Sequence, residues 1–118
     1  MTKIKLNLQP KFFGDFTSAE SVADQFRVTI PETDEILVAV YGVDDESYGE
    51  AFVLFLRDGV LLYEVNGSHC SCSGLGGDWS PELVNVAELR ACNRPALRNE
   101  DSAAAVRAAL DAFLAAET

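Results

Sequence analysis

Positive charge is scarce through the middle of this sequence. Across residues 28–89 the one base is Arg57, set against Glu32, Asp34, Glu35, Asp44, Asp45, Glu46, Glu50, Asp58, Glu64, Asp78, Glu82 and Glu88. Affinity for phosphate rests on Lys and Arg neutralising it, so no direct binding to nucleic acid is expected. Long apolar runs are lacking too. The longest candidate, residues 51–56, has the length of a buried strand, and no membrane span is expected. The alternating basic and apolar residues 1–6 are followed by no apolar body of a secretory signal, which points to the cytoplasm. There the three cysteines are expected as reduced thiols. Phosphate-cradling patterns are absent as well: Gly74-Leu75-Gly76-Gly77 matches neither GxGxxG nor the P-loop, and no lysine stands near it.

What is present is an ordinary globular composition, with 48% hydrophobic and 24% charged residues in a chain of 118. That size suits one domain, and no Pro/Ser/Gly-rich linker divides it, so residues 1–118 read as a single domain. The formal charge of −10 keeps such a chain soluble and attracts basic surfaces.

The pattern of elements predicts an α+β fold: an antiparallel β-meander of three to four strands packed against an N-terminal and a C-terminal helix. Residues 3–8 alternate like an edge strand, and Phe12, Phe13 and Phe16 read as anchors of a loop on the core. Thr17-Ser18-Ala19-Glu20 has the form of a capping box, and Ala19, Val22, Ala23 and Phe26 fall on one helical stripe, predicting a helix over 18–27. Residues 35–41 are β-rich, 42–49 read as a polar acidic loop, and 50–57 and 60–65 flank Asp58-Gly59. An Asp-Gly pair between apolar runs predicts a two-residue hairpin turn. Arg57 then faces Val60. Phe52, Leu54 and Leu56 share a face with Leu61, Tyr63 and Val65, while the opposite face is only half covered. From Ser68 onward the small residues read as a structured loop that leaves the sheet. After it, a short helix opens either at Pro81 or at an Asn85 cap and ends near Cys92. Asn99, Glu100 and Asp101 start the last helix, whose buried stripe is Val106, Leu110, Phe113 and Leu114.

Three constellations bear on chemistry. His69, Cys70 and Cys72, with Cys92 from elsewhere, match the ligand count of tetrahedral zinc but not its usual spacing. A catalytic thiol at Cys70 would need nearby positive charge, and this region is acidic, so no enzymatic role is expected. Gly74 and Gly77 read as supplying the backbone freedom that folds Trp79 over the sheet. The acidic residues Glu32, Asp34, Glu35, Asp44, Asp45, Glu46, Glu50 and Asp58 are the candidate partner-binding set, with too few correctly spaced oxygens in 44–50 for an EF-hand loop.

The hairpin with Asp58-Gly59, followed by Ser68-His69-Cys70-Ser71-Cys72, Gly74, Gly77, Trp79 and Pro81-Glu82, resembles a group of small phage and prophage proteins. In these a phrase SHCSCxGxxGxW follows a β-hairpin; Ser73 stands where the group often has an aromatic residue. The resemblance covers roughly a third of the chain and brings no established activity with it. It implies a mobile-element protein made in a bacterial cell. Small acidic phage proteins of the anti-CRISPR and anti-restriction kind occupy the nucleic-acid site of a larger host machine. The sequence therefore favours a non-enzymatic, acidic interaction protein that binds a basic host surface, as a DNA mimic does, without a cofactor. The alternative is a small zinc-binding module built on His69, Cys70 and Cys72.

Overall fold

The computed structural model describes residues 8–45, 48–70 and 75–117. Its sheet contains β1 (Lys11–Gly14), β2 (Asp34–Asp45), β3 (Tyr48–Arg57), β4 (Leu61–Cys70) and β5 (Glu82–Leu83), side by side in that order. Strands β2 to β5 form an antiparallel meander. The helices are α1 (Ala19–Phe26), α2 (Val86–Arg90) and α3 (Glu100–Glu117). The fold is α+β, and among the described residues no helix is long and apolar enough to cross a membrane.

The first strand departs from expectation. Lys11-Phe12-Phe13-Gly14 is not a loop but a strand running parallel to β2. Parallel neighbours cannot be joined by a tight turn, and α1 lies in the crossover between them. Gly14 permits the close approach: its φ is +67°, and a Cβ there would stand 2.1 Å from the Tyr41 carbonyl oxygen. The cap of α1 is also displaced by one residue. Ser18, not Thr17, is the N-cap; the Ser21 N–H donates to Ser18 Oγ and the Ser18 N–H to Ser21 Oγ, both at 3.1 Å. Arg27, in the left-handed region at φ 57°, then closes the helix.

The β3–β4 hairpin turns over three residues rather than two. Arg57 pairs with Leu61, Leu56 with Leu62, Phe55 with Tyr63 and Leu54 with Glu64. Asp58 and Gly59 both have positive φ, and the Val60 N–H donates to the Arg57 carbonyl at 3.0 Å. One extra turn residue moves every β4 side chain to the other face. Tyr63 and Val65 therefore join Val53 and Phe55, while Leu62 and Glu64 join Leu54 and Leu56.

Both faces are covered. On one, Val38, Val40, Phe52, Leu54, Leu56 and Leu62 meet Leu89 of α2 and Val106, Leu110 and Phe113 of α3. On the other, Ile36, Ala39, Val53, Phe55 and Val65 meet Phe16, Val22, Phe26 and Leu75, with Trp79 packed alongside. A bulge at 36–38 turns both Leu37 and Val38 towards the helices α2 and α3. Each such buried Leu, Val or Phe contributes roughly 1.5–3 kcal/mol, so sheet and helices are interdependent.

Two loops proved to be partly strand. Residues 42–45 and 48–49 stay in the β2–β3 ladder, and Ser68, His69 and Cys70 continue β4 opposite Glu50, Gly49 and Tyr48. Backbone donors and acceptors pair irrespective of side chain, so a polar end of a long ribbon remains ladder.

Candidate interaction surfaces

Four arginines serve carboxylates of the chain itself. The Arg57 fork meets Asp34 through Nε–Oδ1 and Nη2–Oδ2, each 3.0 Å, and lies over the Phe55 and Tyr63 rings. The Asp34 hydrogen bonds hold the Arg57 pKa above its ordinary value despite the opposing effect of burial. Arg94 grips Glu64 in the same way, Nε–Oε1 at 2.6 Å and Nη2–Oε2 at 3.0 Å, and is likewise held upward chiefly by that bond. Asn66 Nδ2 donates to Glu64 Oε1 as well. Arg90 pairs with Asp111 on the surface, and Arg98 Nη2 stands 3.7 Å from Glu50 Oε1.

The acidic residues do not all gather in one place. Strand alternation turns Asp34 inward to Arg57, whereas Glu35, paired with Leu56, belongs to the helix-covered face. Glu32, Glu35 and Asp58 are exposed and, with Thr33, Leu56 and Gly59, line an open depression of about 370 Å³. Two backbone bonds fix its rim: Asp58 N–H to Thr33 O at 2.8 Å and Asp34 N–H to Pro31 O at 3.0 Å. Asp44 and Asp45 occupy the far end of β2, ten or so residues on and so roughly 30 Å away. Their side chains, and Glu46 altogether, lie outside the described residues. Glu50 is buried beside the segment that enters α3 rather than displayed.

Glu50 lies at a second concavity, which composition and motif gave no reason to expect. A cleft of about 280 Å³ opens between the sheet and the segment leading into α3, lined by Phe13, Val40, Gly42, Glu50, Ala96 and Arg98 among others. Gly42 is directly opposite Glu50 in the β2–β3 ladder. Gly42 has nothing within 4 Å of the position a Cβ would take, so this strand glycine leaves the cleft open rather than admitting a close neighbour.

Of the motif residues, Trp79 stacks on Phe55 at 5.7 Å and meets the Phe26 edge at 5.1 Å. Gly77 has φ +91°, and Asp78 Oδ2 accepts from the Ser68 N–H at 3.0 Å, tying the segment back to β4. The side chains of His69 and Cys70, and the whole of Cys72 and Gly74, lie outside the described residues. Cys92 is partly buried against the helix-side core, its Sγ 3.8 Å from the Ala103 carbonyl oxygen. Among the described residues no group of three or more His, Cys, Asp or Glu side chains is placed to hold a metal ion. Comparison of the chain with protein-family models, with curated proteins and with solved structures found no match.

Proposed function

We propose that this chain is a non-enzymatic, phage-type interaction protein whose acidic surface binds a basic surface of a host nucleic-acid-processing or defence complex, in the manner of a DNA mimic. The observation that carries this reading is the division of charge within the fold. The bases Arg57 and Arg94 are spent on the buried Asp34 and Glu64, whereas Glu32, Glu35 and Asp58 surround a depression whose described lining includes no base. The three exposed carboxylates share one concave lining without a base in it, and a basic partner gains most where no internal cation must be displaced.

The experiment is capture from a bacterial lysate across a salt series, run beside the charge-reversed triple variant Glu32→Lys, Glu35→Lys, Asp58→Lys. A specific partner is expected to be retained at low salt, lost steeply as salt rises, and missed by the variant. Salt-insensitive capture, or equal capture by the variant, overturns the proposal.

A further inference from the structure

We propose that the exposed apolar corner formed by Leu61 and Leu83, beside the acidic depression, docks a basic amphipathic helix of a partner protein. Leu61 and Leu83 are 43% and 61% exposed, and neither belongs to the buried clusters on the two faces of the sheet. Leu83 stands directly opposite Tyr63 in the β4–β5 pairing, and Leu61 precedes Tyr63 by two residues on β4. All three side chains therefore share the face that carries Trp79. Diagonal neighbours such as Leu61 and Leu83 lie roughly 7–8 Å apart, with the Tyr63 ring between them, so they form one contiguous patch rather than two scattered leucines.

The charges around the corner select its occupant. Leu61 pairs with Arg57 at the end of the hairpin whose turn residues Asp58 and Gly59 line the depression. Arg57 is itself committed to Asp34 by two bonds of 3.0 Å and lies over the Tyr63 ring. Asp58 and Glu82, next in the chain to Arg57 and Leu83, are exposed. An apolar patch beside exposed carboxylates fits a partner whose apolar side chains are flanked by Lys or Arg. A second copy of this chain does not fit, because each carries a formal charge of −10 and the two repel. Nor does an added strand: β5 offers only Glu82 and Leu83, between Pro81 and the Asn85 cap of α2. A helix needs no backbone partner, and its apolar side chains at i and i+4 are about 6 Å apart, close to the spacing of the two leucines. The basic character of the partner rests on the acidic-surface reading above; the apolar anchor does not.

The test is titration of the isotope-labelled full chain with two synthetic peptides of equal charge, followed through backbone amide shifts. One peptide carries Leu and Lys at helical spacing, and the other has Ser in place of every Leu. The Leu/Lys peptide is expected to move the Leu61, Tyr63 and Leu83 amides together with that of Asp58, saturably, and to bind about tenfold more tightly than the Ser/Lys peptide. The double change Leu61→Ser, Leu83→Ser, at two exposed positions, brings the Leu/Lys peptide down to the Ser/Lys affinity while the thermal unfolding temperature stays unchanged. Equal binding of the two peptides by the wild-type chain, or undiminished binding by the serine variant, overturns the proposal. So do concentration-dependent shifts at Leu61 and Leu83 without peptide, which assign the corner to a second copy. Repeating the titrations on Glu32→Lys, Glu35→Lys, Asp58→Lys separates the two proposals. Leucine-dependent binding that is indifferent to this charge reversal sinks the acidic-surface reading alone, and charge-dependent binding that is indifferent to leucine sinks the apolar corner alone.

Discussion

Asp34 and Arg57 face each other across β2 and β3, joined by two parallel hydrogen bonds of 3.0 Å. The carboxylate is all but sealed while the guanidinium spreads over the Tyr63 ring, 4.6 Å from its centroid. Removing the arginine leaves a buried charge without its fork. Arg57→Met is expected to cost about 2–4 kcal/mol, below the value for a fully buried pair because Arg57 itself is partly exposed. Arg57→Lys recovers only part of this, since an ammonium neither forks nor stacks as a plane. Urea unfolding measures both; a loss under about 0.5 kcal/mol for the methionine variant would show the pair to be ornamental to stability.

Glu64 makes the same demand more severely. It is buried on the helix-side face and directly opposite Glu82 in the β4–β5 pairing, a like-charge position that is unfavourable unless a cation intervenes. Arg94 supplies that cation. Arg94→Leu is expected to cost about 3–5 kcal/mol, whereas the double change Glu64→Leu, Arg94→Leu is expected to be neutral or stabilising, because it removes the desolvation cost along with the pair. Chemical denaturation of Glu64→Leu, Arg94→Leu and the double variant forms the cycle that decides it; a double variant as unstable as Arg94→Leu alone contradicts this account.

Glu64 also shows where the sequence stopped being legible. The apolar runs, the place of the turn at Asp58-Gly59 and the α3 stripe could be read directly, because each is a local pattern with a local cause, while the sequence left the start of α2 open between Pro81 and the Asn85 cap that the structure has. The hairpin register could not. Asp-Gly fits a two-residue turn, yet the ladder closes over three, and that single residue decides whether Glu64 meets solvent or the core. Its partner Arg94 is thirty residues away, a distance at which spacing carries no information. β1 was hidden for the same reason: its partner strand is nonlocal, and Phe12-Phe13 looks alike in a loop anchor and in a short strand. The acidic set was legible as a composition but not as a surface, since strand alternation sends Asp34 inward and leaves Glu35 exposed.

Trp79 gives a test of the second face. Its ring lies nearly parallel to Phe55, which stacks in turn on Tyr63. Trp79→Ala removes both ring contacts and is expected to cost about 2–4 kcal/mol, less than a fully buried tryptophan because the side chain is half-exposed. As the single tryptophan of the chain, it also reports on folding. Its fluorescence transition is expected to coincide with the loss of circular dichroism, and a separate earlier transition would mean that the 75–79 segment opens independently of the sheet.

Tyr41 provides the pH dependence. Burial, and after it the charge of Asp15, hold its phenol above the ordinary value of 10.0. A folded-state pKa above the unfolded one means that the native protein keeps its proton where the unfolded chain releases it. The associated stability is complete below pH 10.0 and is lost as pH rises through the folded-state value. Tyr41→Phe keeps the ring that packs against Phe16 at 5.2 Å but has nothing to ionise. In urea unfolding at successive pH values from neutral to strongly alkaline, the stability of the wild-type chain is expected to fall away from that of Tyr41→Phe only in the alkaline range. Parallel curves there would mean that Tyr41 ionises as easily in the folded state as in the unfolded one.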